Sequence, residues 1–145
     1  MREIDQFSRV VGAMGAFAEM VSTGCKRVAL GAPVDDEKLR DEHLEFAKKI
    51  CEEKGVYCCP ENGGFLTDLF PAWLNRDKFN VLIYKEDKDR EAYFELKNRK
   101  AQLVKDGKYD AAARKAIAYE FGKMLAYQDE DIQRMIDKND DKEVF

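Results

Sequence analysis

Three short apolar runs limit what this chain can fold into, because each is long enough for a strand and too short for a helix. They lie near residues 27–31, 56–59 and 80–84. The first two flank residues 36–54, whose apolar side chains recur with a helical period. A strand, a helix and a strand in this order predict a βαβ unit, in which a right-handed crossover makes the two strands parallel. The run at 80–84 is rich in β-branched and aromatic residues and is the strongest strand.

The remainder of the chain is dominated by helical patterns. Apolar residues recur at helical spacing over 88–105, after Asp110 and over 130–138. The predicted class is α/β: one small domain with three or four mostly parallel strands, helices on both faces of the sheet, and a helical C-terminal half. We assign residues 1–138 to this domain and 139–145 to a frayed acidic tail. Residues 65–78 are apolar and aromatic, and fit a strand as well as a turn.

A predicted helix over residues 3–23 carries a narrow apolar stripe. The stripe steps by three and four residues through Ile4, Phe7, Val11, Met14, Ala18 and Val21. A helix packed on its own domain explains this stripe. A helix paired with a second copy also explains it, because partner helices share such a seam. A homodimer formed through helix 3–23 is therefore one hypothesis.

The residue inventory excludes several kinds of active site. Hydroxyl side chains other than tyrosine occur only at Ser8, Ser22, Thr23 and Thr67. His43 is the single histidine and lies on the apolar stripe of helix 36–54, where a position at the core edge explains it. A Ser-His-Asp triad therefore lacks parts, and a zinc site with two histidines is impossible. No glycine-rich fingerprint follows a strand, so we expect no nucleotide cofactor.

The charge balance bears on the partners of the chain. Lys and Arg number 25 and Asp and Glu 29, which gives a net charge of −4 and a pI near 5.2. We therefore do not expect a nucleic-acid partner, and no apolar run approaches the roughly 20 residues of a membrane span. Residues 97–115 contain seven basic and two acidic side chains. This excess of positive charge fits the solvated outer faces of a helix hairpin, and it also fits a surface that contacts an acidic partner. The charged share of 37% also fits the ion-pair networks of a thermophile protein.

The cysteines indicate a reducing compartment. Cys25, Cys51, Cys58 and Cys59 form no C-x-x-C pair. The charged start does not resemble a signal peptide, and we expect a cytoplasmic protein. Cys58 and Cys59 point to opposite faces of a strand. One of the two could therefore lie next to Cys25 at a neighbouring strand, and this pair could be two free thiols or a disulfide. Burial of all four as small apolar side chains is the alternative.

Ligands of open α/β sheets bind beyond the carboxyl ends of the strands. Segments 31–36, 60–64 and 85–87 should meet at that edge of the predicted sheet. The candidate ligand-binding residues are Asp36, Asn62, Thr67, Asp68 and Lys85. Asp36, Glu61 and Asp68 are also candidates for a Mg²⁺ site, because carboxylate oxygens are suitable ligands, although a helix cap explains Asp36 equally well.

These observations leave open whether the chain is an enzyme. The main hypothesis is a non-catalytic cytoplasmic domain that binds a partner and self-associates through helix 3–23. The missing catalytic residue types favour it. One alternative is a small Mg²⁺-dependent hydrolase that acts on a phosphorylated ligand at the strand-end loops. A second alternative is a small-molecule sensor with the Gly63–Gly64 loop as a lid.

Overall fold

The protein is described by a computed structural model over residues 2–145, so residue 1 of the predicted domain lies outside the description. Within these residues there are six helices and three strands. They are α1 (Gln6–Ser22), β1 (Val28–Leu30), α2 (Glu37–Lys54), β2 (Tyr57–Asn62), α3 (Ala72–Asn75), β3 (Phe79–Tyr84), α4 (Asp87–Lys105), α5 (Ala111–Met124) and α6 (Asp129–Lys138). None of the helices in the described range is long and apolar enough to cross a membrane.

The three strands form an antiparallel sheet in the order β1-β3-β2, so the predicted mostly parallel sheet is wrong. Tyr84 of β3 lies opposite Val28 of β1 on one side and Tyr57 of β2 on the other. β1 and β2 do run in the same direction, as the crossover through α2 requires, but β3 occupies the place between them. The strand-helix-strand spacing predicts only that β1 and β2 run in the same direction. It does not predict that they are neighbours, because a later strand can insert between them, as in a split βαβ unit.

Helices cover both faces of this sheet. Val81 and Ile83 of β3 point to the layer formed by α1 and α2, whereas Leu82 and Tyr84 point to the layer formed by α4, α5 and α6. This alternation follows from the period of two along a strand. Both faces of β3 are therefore buried, which explains its continuous apolar sequence.

The apolar stripe of α1 is used mainly inside the domain. Met14, Ala18 and Val21 of the stripe, together with the adjacent Val10, are at most 7% exposed and pack in the layer between α1, α2 and the sheet. The predicted helix 3–23 begins only at Gln6, so Ile4, at the start of the predicted stripe, precedes α1 and is 72% exposed.

Residues 65–78, whose structure the sequence leaves open, and the predicted tail 139–145 pack against each other. Residues 65–78 contain only the short helix α3 between turns. Residues 139–145, expected to be a frayed tail, form no helix or strand but lie against this segment. The side-chain amide of Asn139 donates to the carbonyl groups of Asp68 and Phe70, both at 3.0 Å. The carbonyl of Asp141 accepts from the Ala72 amide at 2.7 Å.

Candidate functional site

A cavity of about 190 Å³ lies along the outer edge of β1, where the two helical layers meet. Phe17 of α1 lines it from one layer, and Leu125 and Tyr127, which follow α5, line it from the other. Phe70 and Leu74, from the segment around α3, contribute further apolar surface. The inner side is made by Ala29, Leu30, Gly31 and Pro33. The walls of this cavity are therefore mainly apolar and aromatic.

Lys26 brings a positive charge to this cavity from the position two residues before β1. Its Nζ lies 5.9 Å from the ring centre of Phe17 and 5.7 Å from that of Tyr127. It donates a hydrogen bond to the carbonyl of Leu125 at 2.7 Å. Aromatic faces attract a cation, so the two rings and the carbonyl hold the ammonium group in place.

No acidic side chain compensates this charge. Among residues 2–145, no carboxylate forms an ion pair with Lys26, and its one side-chain hydrogen bond goes to a neutral carbonyl. Burial lowers the pKa of Lys26 below its ordinary value, and no nearby charge opposes that effect. Burial thus disfavours the charged form of Lys26, and the protein supplies no carboxylate among residues 2–145 to offset this effect.

Two amide side chains, Asn75 and Asn80, complete the polar lining of the cavity. Asn80 is 5% exposed, and its Oδ1 accepts from the Val81 amide at 2.7 Å. A Cβ atom on Gly31 would lie 3.1 Å from this oxygen and 3.4 Å from the methyl group of Met14. Glycine at position 31 thus leaves room for the Asn80 side chain beside the cavity.

The antiparallel sheet separates the ligand-binding residues predicted from the sequence. Asp36 lies at the end of the sheet where Val34 and Asn62 both pair with Phe79. Lys85 follows β3, whose direction is opposite, and therefore lies at the other end of the sheet. Its Nζ donates to the carbonyl of Ser22 at 3.1 Å. The expected meeting of segment 85–87 with the other two is accordingly wrong.

Each of the other predicted residues has a partner within the fold. The carboxylate of Asp36 caps α2 by accepting from the Lys38 amide at 3.0 Å. The Asn62 Oδ1 accepts from Arg40 at 2.8 Å.

Thr67 and Asp68 are likewise engaged. The Thr67 Oγ1 accepts from the Leu69 amide at 3.1 Å. The Asp68 carboxylate accepts two hydrogen bonds from Arg114, at 2.6 and 3.0 Å. None of the five predicted residues lines the cavity beside β1.

Glu61 is the third carboxylate of the predicted Mg²⁺ site, and its side chain extends from β2 to Lys97 of α4. It is 1% exposed, and Lys97 donates to its Oε1. Its Oε2 and the nearby Tyr93 hydroxyl are buried without a hydrogen-bond partner in the described structure, and burial raises the pKa of Tyr93. Over residues 2–145, no group of three or more His, Cys, Asp or Glu side chains is arranged to hold a metal ion. Asp36, Glu61 and Asp68 are thus not brought together.

The Gly63–Gly64 loop, predicted as a lid, is packed tightly against a neighbouring segment. Gly64 has a φ of +72°, and a Cβ atom there would overlap the carbonyl oxygen of Asn75. Because Asn75 lines the cavity, this loop supports the cavity wall from behind.

Sequence reasoning missed Lys26 as a binding residue. The available signal was a lysine just before a strand predicted to be covered on both faces. The two rings beside its ammonium group belong to Phe17 and Tyr127, and Phe70 lines the same cavity. These three rings come from separate segments, and no local pattern indicates that they meet.

Comparisons with protein-family models, with curated proteins and with solved structures give no significant match to this chain. The chemistry of the cavity is therefore the basis for a functional conclusion.

Proposed function

We propose that this chain is a non-catalytic, cytoplasmic binding protein for a small carboxylate ligand with an apolar body, held in the cavity beside β1. The observation that carries this proposal is the ammonium group of Lys26. It lines an apolar cavity between two aromatic rings and has no carboxylate partner among residues 2–145.

A carboxylate is the ligand group that this environment favours. Charges away from solvent are normally paired, because desolvation of an unpaired charge is costly. The bond to Leu125 uses one of the three N–H donors of Lys26, so two are left for ligand oxygens. A charge-assisted hydrogen bond of this kind is stronger than a neutral one, particularly where the local dielectric constant is low.

The rest of the cavity determines the body of the ligand. Phe17, Phe70, Leu74 and Leu125 offer apolar surface, which favours a hydrocarbon chain or a single ring. The volume of about 190 Å³ limits its size. A cavity of this size suits a short-chain or single-ring organic acid. The lining contains no nucleophile paired with a base, which favours binding over catalysis.

Titration with hexanoate, followed by calorimetry and by thermal melting, tests this proposal, with hexanol as the neutral ligand of matched length. We expect hexanoate to bind and to raise the melting temperature, and hexanol to bind more weakly. Lys26→Met keeps an unbranched side chain between the two rings but removes the charge. Hydrogen bonds to charged groups contribute about 1.5–3 kcal/mol, so this variant should bind hexanoate roughly 10-fold to 100-fold more weakly.

Lys105→Met is the matched control, because Lys105 is exposed and lies outside the cavity. It should leave the affinity for hexanoate unchanged. If Lys26→Met does not fold, the changes in amide chemical shifts that hexanoate causes in the unmodified protein locate the binding site. Shifts confined to the residues around the cavity support the proposal. Absence of binding at millimolar hexanoate, or shifts centred elsewhere, would refute it.

A further inference from the structure

A second cavity, of about 310 Å³, lies between α2 and β2 and contains two cysteines. Cys51 comes from the last turn of α2 and Cys58 from β2, and both line this cavity together with Lys48. Cys51 is 2% exposed, whereas Cys58 is partly exposed. One sulfur is thus sheltered and the other is accessible.

The cysteine pairing suggested by the sequence does not form. All four cysteines are free, and Cys25 is exposed. Cys25 precedes β1, and β3 separates β1 from β2, so the expected neighbouring strand is not its neighbour. Cys59 points to the opposite face of β2 from Cys58, where it packs against the α4–α6 layer.

Cys51 and Cys58 line this cavity together and pack in the same apolar layer on the α2 side of the sheet. Hydrogen-bond donation from Cys51 to Cys58 is the largest cause of a lowered Cys58 pKa, and the charge of Lys48 acts in the same direction against burial and Glu45. The same hydrogen bond and burial raise the pKa of Cys51. The accessible sulfur therefore has the greater thiolate character, and the sheltered one keeps its proton.

We propose that Cys51 and Cys58 are a redox-active dithiol that closes to a reversible disulfide when it reacts with a low-molecular-weight disulfide. An accessible thiolate next to a second thiol is the arrangement that thiol–disulfide exchange requires. The cavity in front of Cys58 gives a small disulfide room to approach.

The exchange proceeds in two steps. The Cys58 thiolate attacks one sulfur of the small disulfide, a mixed disulfide forms, and the first small thiolate leaves with the bonding electron pair. Cys51 gives up its proton and attacks the Cys58 sulfur of the mixed disulfide, which expels the second small thiolate. The two protein thiols lose two electrons, the small disulfide gains them, and the two protons end on the two small thiols released.

The other two cysteines provide internal controls. Burial raises the pKa of Cys59 to about 11, so this thiol stays protonated at neutral pH. Cys25 is exposed but has no cysteine beside it, and its sulfur accepts a hydrogen bond from Thr23 at 3.4 Å. We therefore expect Cys58 to be alkylated roughly 10-fold or more faster than Cys59 in the folded protein.

Oxidised glutathione is the probe for the test, followed by alkylation of remaining thiols and peptide mapping by mass spectrometry. The folded protein should lose about 2 Da, with a linked pair of peptides that contain Cys51 and Cys58 and that dithiothreitol separates. Cys25→Ser should form the same link. Cys51→Ser should instead retain one glutathione on Cys58, because the resolving thiol is gone.

Two results would overturn this proposal. One is glutathione on Cys25 alone, with Cys51 and Cys58 unlinked at saturating oxidised glutathione. The other is a Cys51–Cys58 link that forms no faster in the folded protein than in urea, since the folded arrangement would then contribute nothing. Neither result depends on a variant that has to fold.

Discussion

The guanidinium group of Arg40 is 3% exposed and is fully engaged by its surroundings. It donates to the carbonyl of Glu61 at 3.0 Å and to the Asn62 side chain at 2.8 Å, and Asp41 supplies a carboxylate at 2.9 Å. Lys26 receives one carbonyl and two aromatic faces, without a carboxylate among residues 2–145. Arg40 therefore stabilises the fold, whereas Lys26 still has N–H donors with which it can bind a ligand.

His43 should make stability depend on pH, because it is the single histidine and only 3% exposed. Burial lowers its pKa below the ordinary value of 6.5, against a smaller opposite effect of Glu42. The unfolded chain then binds a proton at a higher pH than the folded chain. Stability is therefore complete above the unfolded pKa and falls as the pH drops below it.

We expect the urea concentration at the unfolding midpoint to decrease when the pH is lowered from about 7.5 to about 5.5. Histidine is the side chain that ordinarily titrates in this range. In the His43→Gln variant this decrease of the urea midpoint should be smaller than in the unmodified protein, even if the variant is already less stable at about pH 7.5. An equal fall in both proteins would show that His43 is not its source.

At the scale of elements, the sequence predicts which segments form helices and strands better than how they pair. The apolar runs place β1, β2 and β3 close to their positions, because local periodicity reflects burial on one or both faces. The place of β3 between β1 and β2 depends on contacts between residues 17 to 56 positions apart, which no local pattern specifies. The cavity was missed for the same reason, since its lining comes from several distant segments.

The homodimer hypothesis can now be tested at the exposed start of the α1 stripe. Met14, Ala18 and Val21 are occupied inside the domain, so Ile4, which precedes α1, is the predicted stripe position most available to a second copy. The hypothesis predicts a mass of about twice 16.7 kDa by light scattering, and the monomer mass for Ile4→Glu. Glu3→Gln serves as the neighbouring control and should remain a dimer. A monomer at all concentrations of the unmodified protein would exclude the hypothesis.

Across the whole molecule, the last residues connect parts of the chain that are far apart in sequence. Asn139 reaches the segment around Asp68, and the carbonyl of Glu143 accepts from Arg114 of α5 at 2.9 Å. Phe145 packs edge-to-face on Tyr109, with ring centres 5.7 Å apart. Segment 139–145 thus joins the α4–α5 pair to segment 65–78, which contributes to the lining of the cavity beside β1.

Asn139→Ala should destabilise the protein by about 1–3 kcal/mol, because it leaves the carbonyl groups of Asp68 and Phe70 without their side-chain donor. Urea unfolding measures this loss. Asn98→Ala is the control, since Asn98 is exposed on α4 and a substitution there should change stability by less than about 0.5 kcal/mol. Equal stability of Asn139→Ala and the unmodified protein would mean that the segment contributes no net support.

The three-stranded sheet has two edges, and both are poor templates for a further strand. β1 is three residues long, and the helical layers meet beside its outer edge. β2 carries Pro60, which lacks an N–H group and interrupts the row of main-chain donors. A second copy therefore finds no long continuous edge to extend, and this fold resists the edge-to-edge aggregation to which small open sheets are prone.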